Sequence, residues 1–403
     1  MDATQMHDVI VVGAGPAGAA AAHRLAVQGR DVLLLDKAAF PRDKTCGDAI
    51  SYRAMKIVEE MGALDGVRKV AQEIRSVRFV APDGREVASA LPRHPEYTGV
   101  LVIPRLQLDT LLKDHAVTAG AQLVENAHVD AIQPLAEGVQ VSAGENMFRA
   151  RLVILAVGAN SALLRRQDIL KEQPQTMLAA RGYARGLQSD PHEIIFSYDR
   201  MALPAYGWIF PLPEGRANVG AGFFRIGPNK DQMPATARES LDIYMQNPAV
   251  QAAFTTGITL DEVKSFPLRV DFLRAPKFAP RTLIAGEAAG LVNPLTGEGI
   301  DYALESGRMA ADGALAMLAA NDFGAARLDE YARSLNRAFA RFFRYHAVFR
   351  DTLFTYPWLL NRLMALGAHD RQFMDHLLNS ALGILDPAKI LAPRFLARLA
   401  FHP

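Results

Sequence analysis

The chain carries one cysteine, Cys46, among its 403 residues. An internal disulfide is therefore excluded, and the composition fits a reducing compartment; a cytoplasmic location is expected. No uninterrupted apolar run reaches the ~18 residues that a membrane-spanning helix needs, so any membrane contact is expected to be peripheral. The first residues carry Asp2 and Asp8 and no basic segment, so the apolar stretch that follows does not read as a secretion signal. Net charge is only +1, so composition gives no reason to expect a nucleic-acid partner. His369 and His376, with Asp370 and Asp375, lack a metal-ligand spacing, and no metal is assigned. There is no internal repeat and no low-complexity tract. Half of the residues are hydrophobic and 22% are charged, which predicts a sizeable core rather than disorder. At roughly 150 residues per domain, two or three domains are expected.

What is present begins at Asp8 with DVIVVGAGPAGAAAAHRLAVQGRDVLLLDK. Val9 to Val12 reads as a buried parallel strand, and Val32 to Leu35 as a second one. Between them lie Gly13, Gly15 and Gly18 at the spacing G-x-G-x-x-G, then a small-residue helix. Gly13 permits the tight turn, Gly15 lets a pyrophosphate approach the backbone, and Gly18 lets helix and sheet pack closely. The helix N-terminus offers unpaired N–H groups and partial positive charge to phosphates. Pro16 and Ala17 open that helix, and Asp36-Lys37 ends the second strand where a ribose is recognised.

Further along, FPRDKTCGD reads as a loop beside the bound dinucleotide. Cys46 and Gly47 on it are candidates to reach the reactive end; the alternative is an inert small apolar side chain. Pro104 predicts a helix start, with Arg105 at an exposed position and Leu106, Leu108, Leu111 and Leu112 as the apolar stripe. Arg105 is then either a site residue or a solvated surface arginine. Residues 175–272 change to short β-like runs. In YGWIFP the side chains of Tyr206, Trp208 and Phe210 share one strand face, opposite a partner thinned by Gly220 and Gly222. Two readings stand: the wall of an apolar slot, or plain sheet packing. Thr282 to Ala285 is another buried strand, and Gly286-Glu287 turns the chain. Gly297 and Gly299 then lead into a long helix from about Ile300 to Ala320, a second positive helix end. In the tail, Phe339, Phe343, Phe349, Phe354 and Trp358 interleave with arginines. That pattern fits either a membrane-surface helix or a helical cap with buried aromatics.

Taken in order, GAGPAG, FPRDKTCGD, Arg105-x-x-x-Asp109, GANSALLRR, YGWIFP with ANVGAG, and GEAAGLVNPLTGEGI resemble the geranylgeranyl reductase family. These are flavoproteins that share the fold of p-hydroxybenzoate hydroxylase. The resemblance implies an α/β chain, α+β overall. A Rossmann-like FAD-binding domain (1–74, 101–174, 273–324) receives an inserted antiparallel-sheet substrate domain (75–100, 175–272), followed by a helical C-terminal region (325–403). It implies FAD, with Gly13, Gly15, Pro16, Ala17 and Gly18 on the pyrophosphate and Asp36 and Lys37 at the adenosine end. Arg105, Gly286 and Glu287 fall on the diphosphate or ribityl side. Gly297, Gly299, Ile300, Cys46 and Gly47 fall beside the isoalloxazine ring, and Tyr206, Trp208 and Phe210 in a lipid cavity. The implied activity is saturation of carbon–carbon double bonds in a polyprenyl lipid or prenylquinone, with Cys46 as candidate proton donor. A flavin monooxygenase or halogenase is the alternative, since one fold hosts several chemistries. Two positions depart from the family pattern: Val157 stands where an Asp is usual, and Glu287 where the acid is usually Asp. The external electron donor, NADPH or ferredoxin, stays open. Peripheral membrane contact is assigned, if to anything, to the C-terminal helices.

Overall fold

A computed structural model describes residues 5–226, 229–255, 257–386 and 388. The tail expectation for 325–403 therefore lies partly outside the described residues. The first sheet is built on the parallel strands Met6–Val12, Val32–Leu35, Gln122–Val124, Asn146–Leu155 and Thr282–Ile284. Met6–Val12 lies between Asn146–Leu155 and Val32–Leu35. Val9, Ile10, Val11, Leu33, Leu34, Val153 and Ile154 are fully buried there, as continuous apolar runs in a sheet covered on both faces should be. Helices Pro16–Ala26 and Ile300–Ala320 pack against each other on this sheet. Small residues make the contact possible: a Cβ on Gly307 would fall 2.1 Å from the Ala17 carbonyl oxygen.

The second sheet has seven strands, ordered Lys264–Arg269, Thr176–Arg185, Arg216–Phe224, Ala205–Leu212, Glu193–Ser197, Ser76–Val80 and Glu86–Ala90. It is not purely antiparallel: Glu193–Ser197 runs parallel to Ser76–Val80. Ile209, Val219 and Ala221 point to one face, where helix Ala237–Met245 covers them. Tyr206, Trp208 and Phe210 point to the other, toward the first sheet. A small third sheet, Ala49–Ile50, Val100–Val102 and Gln72–Ile74, bridges the two.

The tail forms helices Arg341–Asp351, Pro357–His369 and Arg371–Ala381. Phe339, Phe343 and Phe349 are buried, each worth roughly 1.5–3 kcal/mol relative to exposure, whereas Trp358 is 65% exposed. Among the described residues, no helix is long and apolar enough to cross a membrane.

Candidate functional site

The two glycine corners meet over one cavity of about 830 Å³. At the first corner Gly13 has φ +103°, and a Cβ there would fall 2.4 Å from the Ala156 carbonyl oxygen. Helix Pro16–Ala26 begins with Gly15 as its cap, with no side chain on its first N–H groups and no acid in its first turn. Gly13, Gly15, Pro16 and Ala17 all line the cavity. Pro16 has no N–H and the Gly13 N–H is held by the Leu35 carbonyl at 2.7 Å, so the free donors facing open space are those of the helix's first turn. Such a cradle accepts a phosphate without rearrangement. Gly18 has a different job. It lies behind the wall, where a Cβ would meet the Gly13 carbonyl oxygen at 1.7 Å. Gly286 is also behind the wall, packed against the Ala17 methyl.

Asp36 and Lys37 line the same end of the cavity. Asp36 already accepts from two backbone amides, Ala14 N–H at 2.7 Å and Ala38 N–H at 2.9 Å. Its carboxylate therefore shapes the glycine turn as well as facing the cavity. Arg105 lines the cavity, and only its expected exposure is corrected. It is 4% exposed, not solvated, and forms a two-pronged pair with Asp109 (2.7 and 2.8 Å). Arg42, which the sequence reading passes over, joins the same Asp109 at 3.0 Å and lies against Gly15. Leu106 also departs from the expected stripe, with 42% of its surface exposed.

At the second corner Glu287 lines the cavity. Its Oε2 pairs with Lys44 Nζ at 2.6 Å, and its Oε1 accepts the Arg269 N–H at 3.1 Å. Gly297, Gly299 and Ile300 form the rim from which helix Ile300–Ala320 starts. Glu298 between them also lines the cavity, and burial holds its carboxyl well above the ordinary range.

The aromatic strand closes the other end. Trp208 pairs across the sheet with Gly220, and Tyr206 with Gly222. A Cβ on Gly220 would fall 2.0 Å from the indole, so glycine there makes room for the ring to lie flat on the sheet. The Tyr206 hydroxyl donates to the Thr296 carbonyl at 2.6 Å, tying this strand to the second corner. The Cys46-Gly47 loop crosses between: a Cβ on Gly47 would lie 2.9 Å from the Phe210 ring. Burial raises the Cys46 thiol above its ordinary value, and the Asp48 N–H donates to its Sγ at 3.4 Å.

The tail supplies a wall that sequence reasoning missed. His346, Phe349, Phe354, Met364 and Leu378 all line the cavity. His346 is buried; its Nδ1 lies 3.0 Å from Asn293 Oδ1, and burial pulls its pKa down to about 3, so it stays neutral. The helical-cap reading of the tail captures its buried aromatics but not this role. The buried acid Asp48 was also missed, because nothing in the string CGD marks it as more than a loop residue.

The residues fit a flavin dinucleotide. Free helix donors and a glycine too close to the neighbouring strand for any side chain sit at one end, and a slot walled by Tyr206, Trp208 and Phe210 sits at the other. Comparison with known proteins agrees. The family profile described as "FAD binding domain" matches residues 6–343. A menaquinone reductase of Mycobacterium tuberculosis is 34% identical over 335 residues, covering 76% of each chain. Digeranylgeranylglycerophospholipid reductase 1 of Methanopyrus kandleri is 31% identical over 354 residues, covering 86% of this chain and 87% of its own. Among solved structures, a geranylgeranyl bacteriochlorophyll reductase-like protein from Thermoplasma acidophilum superposes with a TM-score of 0.78 at 22% identity, covering 91% and 92% of the two chains.

Proposed function

The chain belongs to the geranylgeranyl reductase family of FAD-binding flavoproteins, and from that premise we propose that it saturates carbon–carbon double bonds of a polyprenyl lipid or prenylquinone. It is an FAD-dependent oxidoreductase. The observation that carries the substrate reading is the single cavity that joins both glycine corners to the wall of Tyr206, Trp208 and Phe210, with Cys46 between them. When bound and reduced, FAD supplies the hydride.

The chain's own residues do the rest. Gly13, Gly15, Pro16, Ala17 and the open helix N–H groups hold the pyrophosphate, with Gly18 holding helix to sheet behind them. Asp36 and Lys37 meet the adenosine end. Arg105, held by Asp109, and Glu287, held by Lys44, face the ribityl and diphosphate region, with Gly286 packing the corner. Gly297, Gly299, Ile300, Cys46 and Gly47 frame the ring. The aromatic strand and the tail helices exclude water from the double bond. An isolated alkene cannot stabilise a carbanion, so a proton must arrive with the hydride. Cys46 Sγ–H is the donor: the thiol is protonated at neutral pH, and the Asp48 N–H and the Arg105 guanidinium stand ready to stabilise the thiolate left behind.

Electrons enter from NADPH or ferredoxin; Val157, on the cavity wall, stands where the family usually carries an acid. Peripheral membrane contact falls to the C-terminal helices, where Trp358, Tyr356 and Val348 are exposed. The test of the function is to reduce the purified protein without oxygen, offer prenylated lipids and quinones, and weigh the products. Gain of two hydrogens per bond supports the reading; a gain of oxygen or halogen, or no change across the panel, overturns it.

A further inference from the structure

The reaction above uses Cys46 and leaves unused the buried acid two residues further on. Asp48 is wholly inaccessible and sits at φ +70°, a conformation that Asp tolerates better than most residues. Its Oδ2 accepts from the Tyr183 hydroxyl at 2.8 Å and from Asn218 Nδ2 at 2.7 Å. Its Oδ1 accepts from the Arg105 backbone N–H at 3.3 Å. Asn218 is committed on every side. Its Nδ2 also donates to the Cys46 carbonyl at 2.7 Å, and its Oδ1 accepts from Trp208 Nε1 at 2.9 Å.

An amide side chain can be turned either way, and its neighbours decide. A carboxylate and a peptide carbonyl can only accept, whereas an indole N–H can only donate. These three partners admit one orientation of Asn218, with its NH₂ toward Asp48 and Cys46 and its oxygen toward Trp208. We infer that Asp48 is a positioning residue: through Asn218 its carboxylate sets the Trp208 indole of the apolar wall and the Cys46 loop facing it as one unit. The inference builds on the roles proposed above for Cys46 and Trp208, but the linkage itself can be tested without lipid or flavin.

Protonation should loosen the unit, because a neutral carboxyl has an O–H to place and one acceptor fewer. Burial pushes the Asp48 carboxyl up to about 6, against the hydrogen bonds from Asn218 and Tyr183 and the charges of Arg181 and Arg105. The titratable and charged groups facing it are Arg181 and Tyr183 from strand Thr176–Arg185, Arg105 from helix Arg105–Thr118, and Cys46 from its own loop.

The chain has only two tryptophans, Trp208 and the exposed Trp358. The full-length Trp358→Phe protein therefore reports Trp208 fluorescence alone, in holoprotein and in flavin-free protein. The expected result is an emission that titrates with a midpoint near 6, and a flat profile in the added Asp48→Asn variant. Asn218→Ala should shift Trp208 emission to the blue at every pH and remove the titration, because the indole N–H loses its acceptor. A flat profile in the parent, a titration that survives Asp48→Asn, or an Asn218→Ala protein with unchanged emission and titration would overturn the inference. If Asp48→Asn does not fold, Asn218→Ala decides alone, since it leaves Asp48 its bonds from Tyr183 and Arg105. Failure of the lipid assay with the titration intact would remove the proposed substrate and leave the linkage standing.

Discussion

The two ends of the cavity are built on different principles. The dinucleotide end is local: one strand, one glycine turn and one helix start, all within Asp8–Asp36, put free N–H groups against open space. The aromatic end is assembled from distant parts: strand Ala205–Leu212, the Cys46-Gly47 loop and tail helices more than a hundred residues further on. Backbone geometry makes the first end, and side-chain packing makes the second. Damage to the first should cost the cofactor; damage to the second should cost turnover while the protein stays yellow.

The sharpest way to break that division is Gly18→Ala. A Cβ only 1.7 Å from the Gly13 carbonyl oxygen cannot be accommodated without moving the corner. Overpacking of this kind costs about 1–3 kcal/mol or more, and FAD content measured by absorbance after purification should fall to a small fraction of the parent's. Next comes Cys46→Ser, which should keep its FAD but lose roughly a hundredfold or more in kcat, the usual worth of a positioned proton donor; stopped-flow reoxidation by substrate measures it. Gly220→Ala sharpens the comparison from the other side. It drives the Trp208 ring off the sheet and into the cavity. Turnover should drop about tenfold, the equivalent of ~1.4 kcal/mol, with the flavin spectrum and content unchanged. Full activity in Gly220→Ala would mean that the aromatic end is ordinary core.

A smaller effect comes from pH. The folded chain holds the Asp48 proton to about 6, higher than the unfolded chain does, so this group's contribution to stability rises as pH falls from neutrality through that value. Between pH 7 and 5 the stability of the parent relative to Asp48→Asn should rise by about 1 kcal/mol, read from denaturant midpoints at each pH. The smallest expected effect is at the surface, where Trp358→Ala should reduce flotation with anionic liposomes at low salt by a few-fold.

The contrast between the two ends also explains what the sequence could reveal. The glycine corner was legible because each glycine answers a local backbone demand at fixed spacing. Helix Ile300–Ala320 was legible because Gly297 and Gly299 shape the loop before it, and small residues such as Ala303, Ser306, Gly307, Ala310 and Ala311 recur along it at close-packing spacing. The alternation of Tyr206, Trp208 and Phe210 gave their shared face, but not what that face meets. For Arg105 the sequence showed the Asp109 partner one turn along the helix but left burial open, because Arg42 is brought to the same carboxylate only by the folded chain. The tail's part in the cavity was invisible for a related reason: His346 lies on the cavity wall, held there by Asn293, 53 residues earlier in the chain. Asp48 depends on Tyr183 and Asn218, two strand residues that no spacing rule ties to a loop near residue 48.

The central claim is that one cavity holds the flavin and the prenyl chain together. It is tested most directly by following the visible spectrum of the chemically reduced, FAD-loaded protein under strict anaerobiosis while a prenylated lipid or prenylquinone is added. The yellow colour should return with one double bond saturated for each flavin oxidised. Colour that returns only when oxygen is admitted, with the lipid unchanged, would contradict it.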